Sequence, residues 1–479
     1  MTIQYQNYID GAFSSAAELA DVENPATEEI IGQVPRSTPE DVNTAVAAAH
    51  KAQPEWARLA PVQRAAFLRK ISAALRERVD FFADLIVREQ GKTQELAKVE
   101  ASTTAEYFEY MAEWARRIEG EIIPSDRPNE TIMLTYKPIG VVGAIMPWNF
   151  PFFLIARKMA PALLTGNTIV MKPAEATPMG AFEFAKLVDE IGLPAGVFNL
   201  VGGRGSVVGE AIINHPDVDL ITFTGSVATG KHIMSAAGQN LTRVSLELGG
   251  KAPAIVLADA DLDLAARSIW SSRVINTGQV CNCAEKVLVE ASVHDALVEK
   301  LQALFEGTKY GDPSQIAELD MGPLIDASSL ERVAGVVETA KSQGATVVTG
   351  GSTGGAERGH YFEPTLLTDV TKDMNVMKEE TFGPVLPVMA VADLDEALAI
   401  ANDSEFGLTS SVYTNNLNKA LRAVRELEYG ETYINRENFE AIQGFHAGRK
   451  HSGIGGDDGK HGVMEFLESH IVYIEGQPA

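Results

Sequence analysis

The sequence predicts an α/β protein with two doubly wound parallel-sheet domains and a small β ribbon. Three observations carry that prediction. Short apolar runs alternate with helical patterns from Val141 to Leu246. A second alternation of the same kind runs from Ala254 to about Asn435. Ahead of the first lies a polar–apolar segment with many turn residues, Glu121 to Pro138, which reads as a projecting two-stranded ribbon. Short buried strands alternating with helices form parallel sheets, because the crossover helices cover both faces. A chain of 479 residues has room for two or three domains.

The elements follow in order. Tyr8-Ile9 and Ala12-Phe13 flank the turn pair Asp10-Gly11, a hairpin signal. Thr38, Pro39 and Asp41 form a helix start, and Val42, Ala45, Val46 and Ala49 mark one helical face. Helical patterns continue from Val62 to Gln90 and from Lys98 to Ile118, so residues 1–118 read as mostly helical. Strands are expected at Val141–Met146, Thr168–Lys172, Val197–Val201, Leu220–Phe223 and Val244–Leu246. Helices are expected between them at Phe152–Leu164, Pro178–Ile191, Ser206–Asn214 and Ser226–Gly238. The second alternation places strands at Lys286–Val289, Ala345–Val348, Leu386–Ala390, Leu408–Tyr413 and Thr432–Asn435.

Composition excludes several classes. A net charge of −25 is the wrong sign for binding a phosphate backbone, so no nucleic-acid partner is expected. No run of 18 apolar residues exists to span a membrane. The N-terminus, Met1 to Asn7, lacks the basic and apolar regions of a signal peptide. Only two cysteines occur, Cys281 and Cys283, so no disulfide framework is implied, and reduced thiols fit the cytoplasm. A C-x-C pair falls short of the four ligands of a zinc site, and a bridge between residues two apart would be strained; neither is expected.

Candidate chemistry lies on loops at strand ends. Cys281 stands on a Gly-containing turn, and Glu247 ends a strand about thirty residues upstream, a nucleophile and base in outline. Taken alone, a single Cys is more often a buried inert thiol. Gly225-Ser226 follows a strand and opens a helix, which favours an anion such as a pyrophosphate, or is simply a capped helix. Lys172 and Glu175 end another strand. Glu175 could take both hydroxyls of an adenosine ribose and repel a 2′-phosphate, favouring NAD over NADP, or both residues are ordinary surface charges. Asn149 lies between Pro147 and Pro151, where a rigid amide could stabilise an oxyanion. Gly225 to Lys231 imitates a nucleotide-phosphate loop, but His232 replaces the Ser or Thr that holds magnesium. Gly350 to Gly354 matches G-x-S-x-G, yet the chain continues as a loop at Gly355-Ala356-Glu357 where that pattern needs a helix.

Together these residues resemble the aldehyde dehydrogenase superfamily along the whole chain. The matching stretches are Asn24-Pro25-Ala26-Thr27, Pro147-Trp148-Asn149-Phe150-Pro151, Lys172-Pro173-Ala174-Glu175, Phe223-Thr224-Gly225-Ser226, Leu246 to Lys251, Gly278-Gln279-Val280-Cys281 and Glu380-Thr381-Phe382-Gly383-Pro384. The resemblance implies a Rossmann-like NAD-binding domain (1–118 and 138–249), a catalytic domain (250–455) and oligomerisation segments (119–137 and 456–479). It implies that Cys281 attacks the aldehyde carbon to give a thiohemiacetal. The Cys281 amide and the Asn149 side chain would form the oxyanion hole. Hydride would pass to NAD, and Glu247 would activate the water that hydrolyses the thioester. Lys172 and Glu175 would hold the adenosine ribose, and Trp148 and Ser226, with Gly225, the pyrophosphate. Glu380 would hold the nicotinamide ribose, with Phe382 and Leu248 beside the cofactor. No metal is implied, and a homodimer or homotetramer is.

Departures from the common pattern narrow the branch. Cys283 is an extra thiol. Gly444-Phe445-His446-Ala447-Gly448 replaces a frequent Pro-Phe-Gly-Gly, Gly456 replaces a frequent Arg, and Tyr433 to Phe439 is distinctive. These features resemble the lactaldehyde/glycolaldehyde dehydrogenase branch. Arg157, Asn282, Arg436 and His446 would then line the substrate tunnel and favour short hydroxylated or acidic aldehydes, because an apolar substrate would leave buried donors unpaired. Arg436 is read equally well as a salt-bridge partner of Glu437 or Glu440. A semialdehyde dehydrogenase using NAD or NADP is the alternative substrate reading. A CoA-acylating enzyme would lack Glu247, and an inactive binding homologue would lack Cys281, Asn149 or Glu247.

Overall fold

Two parallel sheets organise the molecule, whose computed structural model describes residues 3–354 and 358–476. The loop expected at Gly355-Ala356-Glu357 lies outside the described residues. The first sheet runs Gly453–Ile454, Arg243–Glu247, Leu220–Thr224, Val141–Ile145, Thr168–Lys172, Phe198–Leu200, Asn7–Ile9, Ala12–Ser14. Its middle five strands are parallel, and the strands outside them pair antiparallel. Val141–Ile145 and Thr168–Lys172 are buried at every position, as runs covered on both faces must be. The strand order reverses between Val141–Ile145 and Leu220–Thr224, and the carboxyl ends at such a reversal form a ligand crevice. Pro147-Trp148-Asn149 and Gly225-Ser226 leave the sheet at that reversal.

The second sheet runs Thr346–Thr349, Thr365–Thr368, Val385–Val391, Ala284–Glu290, Ala252–Val256, Thr409–Tyr413, Glu431–Ile434, parallel apart from its first edge strand. The third element is a ribbon. Glu121–Ile123 pairs with Glu130–Pro138, and Leu467–Glu475 pairs antiparallel along that strand from Pro138 to Glu130. Ile122 and Tyr473 stand 80% and 66% exposed on it, an edge and face open to further pairing. Among the described residues no helix is long and apolar enough to cross a membrane.

The N-terminal hairpin forms as expected, with Tyr8 opposite Phe13, and docks on the first sheet through Leu200. Asp41 accepts from the Thr38 backbone N–H at 2.8 Å and opens the helix Pro39–Arg58. Three differences stand out. Residues before this helix are not helical: Leu19–Asn24 and Glu29–Pro35 form a small sheet with Ile3–Gln4. Their solvent-facing Glu23, Glu29 and mid-strand Gly32 dilute the apolar alternation that marks a strand. Ala252–Val256 and Thr365–Thr368 add two strands to the second sheet, both short and next to turn-rich motifs. The expected helix at Ser206–Asn214 begins as a π-turn at Gly205–Gly209, where two glycines weaken regular helix formation.

A buried ion pair ties the helical layer to the crevice. Lys92 bonds Glu100 with both side chains inaccessible to solvent, and also donates to the Asn149 carbonyl at 2.8 Å. The other Glu100 oxygen accepts from the Phe152 and Phe153 amides at 2.9 and 3.1 Å. One carboxylate thus anchors the whole loop from Asn149 to Phe153.

Candidate active site

A strained turn presents Cys281. Asn276, Thr277 and Gly278 all adopt positive φ, at 47°, 59° and 71°. The left-handed region is unfavourable for a β-branched Thr, so the surroundings must impose it. The Asn276 amide donates to the Asn149 carbonyl, and the Thr277 hydroxyl to the Gly322 carbonyl. The Gln279 side chain accepts from the Ile325 amide and donates to the Asn276 carbonyl. A Cβ at Gly278 would come within 2.3 Å of the Gly383 carbonyl oxygen, so only glycine fits. The result is a half-buried Cys281 thiol pointing into a cavity of about 80 Å³. Cys283, two residues on, faces away: its thiol donates to the Val280 carbonyl at 2.9 Å, and burial pushes it up to about 12. Both thiols are free.

Loops from both sheets and two helices, Gln94–Glu113 and Phe153–Thr165, enclose the cavity. Asn149, Glu247, Cys281, Asn282, Arg157, Glu440 and His446 supply its polar wall; Phe150, Phe153, Leu154, Val280, Phe439 and Ile442 supply apolar surface. The Asn149 amide donates to the Gln279 carbonyl at 2.9 Å, holding it beside the cysteine turn. Glu247 is buried, and neither of its oxygens has a hydrogen-bond partner in the protein. Burial pushes it up to about 8, against the pull of His446. A buried carboxylate without a partner, facing a cavity, is costly to keep, and such groups concentrate at reactive sites.

The opposite wall is a web of charges. Arg157 grips Asp458 at 2.6 and 3.1 Å and Glu440 at 2.9 Å. The second Glu440 oxygen accepts from the Asn282 amide. His446 and Arg157 overcome burial and hold Glu440 at about 2, so it is a fixed anion. His446 Nδ1 lies 2.6 Å from Glu431, and its Nε2 lies 3.7 Å from Glu247. Three of the four expected substrate residues, Arg157, Asn282 and His446, therefore meet in one cavity. Arg436 does not join them. It is exposed, its guanidinium is bound to Glu437 at 2.9 Å and to the Phe439 carbonyl at 2.7 Å, and it packs over Tyr433. A charge partner one residue away is nearer than the tunnel, and that decides its direction.

A second group of expected residues lies along the crevice. Glu175 is exposed at the end of Thr168–Lys172 and accepts from the Gly205 amide at 2.7 Å. Lys172 is buried, which brings it down to about 8. Ser226 caps the helix Val227–Ala237 by accepting from the Thr229 amide at 3.3 Å. The neighbouring Gly225 donates its backbone N–H to the Glu247 carbonyl at 3.0 Å. Leu248 is buried against Gly230, where a Cβ would come within 2.6 Å of it. Trp148 and Phe382 meet edge to face at 5.4 Å. Glu380 accepts from the Gly250 amide at 2.7 Å, and burial with the nearby Glu285 charge pushes it up to about 7. An exposed carboxylate at a strand end and a helix N-terminus at the sheet reversal suit a dinucleotide laid along the crevice. Among the described residues no cluster of His, Cys, Asp or Glu could hold a metal ion.

Sequence reasoning missed Glu100, Glu431, Asp457 and Asp458, and saw Glu440 only as a partner for Arg436. Each acts through contacts distant in sequence; Arg157 and Glu440, for example, are 283 residues apart. The double acid Asp457-Asp458 next to Gly459 was the single local signal available.

Comparisons with known proteins agree with this geometry. The family model "Aldehyde dehydrogenase family" matches residues 13–472. The chain is 56% identical over 475 residues to lactaldehyde dehydrogenase of Escherichia coli strain K12, covering 99% of both chains. A crystal structure of lactaldehyde dehydrogenase from Escherichia coli superposes with a TM-score of 0.98 at 56% identity, covering 99% of this chain and 100% of that one. A betaine aldehyde dehydrogenase from Staphylococcus aureus in complex with NAD+ superposes at 0.97 and 35% identity, covering 100% of this chain and 96% of that one. With a cavity thiol, a buried unpaired carboxylate and a matching model along nearly its whole length, the chain belongs to the aldehyde dehydrogenase family and is an aldehyde-oxidising enzyme.

Proposed function

We propose that this enzyme oxidises short hydroxylated aldehydes of the lactaldehyde and glycolaldehyde kind to their carboxylic acids, with NAD. One observation carries the reading: Cys281 and the unpaired Glu247 share a small cavity with the polar and charged groups of Arg157, Asn282, Glu440 and His446. Cys281 Sγ bonds to the aldehyde carbon and forms a thiohemiacetal. The Cys281 amide and the Asn149 side chain stabilise the oxygen as it gains charge. Trp148, Lys172, Glu175, Gly225, Ser226, Leu248, Glu380 and Phe382 would hold a nicotinamide dinucleotide. Bound there, it would supply the acceptor for the hydride whose loss leaves a thioester. Glu247 takes a proton from water as the water attacks the thioester. The wall of Arg157, Asn282, Glu440 and His446 offers donors and acceptors to a hydroxyl beside the carbonyl, and leaves them poorly matched to an alkyl chain.

The Glu175 carboxylate, exposed and anchored to the Gly205 amide, supports NAD over NADP, because a 2′-phosphate would meet its charge. The domain division extends the same reading. Residues 1–118 and 138–249 bind the dinucleotide, 250–455 complete the catalytic cavity, and 119–137 with 456–479 assemble subunits. The open ribbon and its exposed Ile122 and Tyr473 support a homodimer or homotetramer. A nucleophilic thiol needs a reducing compartment, which supports a cytoplasmic location.

Three outcomes are expected. NADH formation at 340 nm should be fastest with lactaldehyde and glycolaldehyde, and much slower with propanal, benzaldehyde or any aldehyde paired with NADP. A preference for succinic semialdehyde or for NADP would overturn the substrate or cofactor assignment. Light scattering at micromolar concentration should give a dimer or tetramer mass; a monomer contradicts the assembly role of the ribbon. Glu247 must be ionised to accept a proton, and its value near 8 leaves only about a tenth of it ionised at pH 7. Turnover limited by hydrolysis should therefore fall about tenfold per pH unit below that value. Glu247→Gln should remove this limb and cut turnover by about 10² to 10⁴. An acid limb near the ordinary carboxylate value would exclude Glu247 as the base.

A further inference from the structure

Arg436 points out of the cavity, yet its bonds converge on a residue that lines it. The loop after the strand Glu431–Ile434 is tied down from both ends. The Asn435 side chain exchanges two hydrogen bonds with the Thr414 backbone, both at 2.9 Å. The Arg436 carbonyl accepts from the Tyr413 hydroxyl at 3.0 Å, and the Asn438 amide donates to the Thr409 hydroxyl at 3.1 Å. Glu440 is gripped by Arg157 and Asn282. Among the described residues, Phe439 makes no hydrogen bond outside this loop. Its N–H donates to the Glu437 carbonyl at 3.1 Å, and its carbonyl accepts from Arg436 at 2.7 Å.

The guanidinium is itself held in place. The same Nη2 bonds the Glu437 carboxylate at 2.9 Å, and the group packs over the Tyr433 ring, 5.4 Å from its centre. A planar fork can hold both acceptors at once, which an ammonium on a flexible stem does less well. An exposed ion pair adds little stability by itself, so what this arrangement supplies is geometry. Phe439 stands where geometry matters. Of the residues lining the Cys281 cavity, Val99 and Phe439 are the most open to solvent, at 42% and 40% exposed. Val99 comes from the helix Gln94–Glu113 and Phe439 from the loop, and together they mark the mouth.

We propose that Arg436 is a positioning residue: it holds Phe439 at the mouth of the Cys281 cavity and so limits the size of the aldehyde that enters. The proposal rests on the reading of this cavity as the aldehyde site. Every neighbour of Phe439 that bonds beyond the loop fixes a different part of it, and none fixes the peptide that carries the aromatic ring. Arg436 does, through the carbonyl. Without that bond the ring is free to swing from the mouth, and a bulkier aldehyde reaches Cys281. Size selection is thus set in part by a side chain that touches no substrate.

The test is Arg436→Met, which keeps a stem over Tyr433 and removes the donors. It should raise kcat/KM for benzaldehyde about fivefold and change that for glycolaldehyde little, a gain that general damage does not produce. Phe439→Ala should give at least that gain, and adding Arg436→Met to it should give no more, because Arg436 acts through Phe439. A second measurement needs no aldehyde: alkylation of Cys281 in the full chain by iodoacetamide and by its bulkier N-benzyl derivative, read by peptide mass spectrometry. Arg436→Met should speed the bulky reagent relative to the small one by about fivefold. Labelling of the buried Cys283 reports unfolding; if Arg436→Met shows it, Arg436→Lys, which keeps the charge and loses the fork, takes its place. In an enzyme that oxidises glycolaldehyde, an unchanged benzaldehyde rate or an unchanged alkylation ratio overturns the proposal, as do gains that simply add to those of Phe439→Ala. A chain that oxidises neither aldehyde overturns the reading of the cavity instead, and the alkylation ratio alone then decides whether Arg436 holds the mouth.

Discussion

A carboxylate taken out of water with neither oxygen hydrogen-bonded costs several kcal/mol unless charges nearby compensate it. Glu247 is placed where ionisation meets that cost, and much of the molecule is arranged around it. The strand Arg243–Glu247 delivers it to the end of the first sheet. His446 approaches from the second sheet's side to 3.7 Å, and the paired cations Arg157 and Lys158 lie behind. None of them bonds it directly. Full pairing would lower its basicity, and full desolvation would keep it protonated at any working pH. A value near 8 lies between those extremes, and it leaves a carboxyl group that can still gain and lose a proton near neutral pH.

The same economy shapes the cysteine loop. Three consecutive left-handed residues are unfavourable in isolation, and they persist because Asn276, Thr277 and Gln279 are bonded to two separate segments, the Asn149 loop and residues 322–325. Those segments include the Asn149 loop, which Glu100 and Lys92 hold from beneath. The Asn149 side chain and the Cys281 turn are therefore braced against each other through buried hydrogen bonds. A shift of one would move the other, which is how a site assembled from distant pieces keeps sub-ångström alignment.

What could be read in the sequence follows the range of the forces involved. Thr168–Lys172 and Val141–Ile145 were legible because burial on both faces leaves an unbroken apolar run. Cys281, Glu247 and Asn149 were legible because each stands in a short motif. The strands at Leu19–Pro35 were not, since a small sheet facing solvent carries charge within it. Glu100, Glu431 and Glu440 were hidden for another reason: a carboxylate's role depends on what folding brings opposite it. Arg436 shows the converse. The resemblance pointed it into the tunnel and the neighbouring acids pointed it away, and Glu437 beside it holds the guanidinium outside.

The central claim is that the acyl group rests on Cys281 until Glu247 delivers water to it. Intact-mass spectrometry of Glu247→Gln, mixed with glycolaldehyde and NAD, addresses this directly. The account predicts an adduct equal to the aldehyde less two hydrogens, mapping to the Cys281 peptide and persisting for minutes. No adduct, or one on Cys283, together with continued formation of the acid, would contradict it.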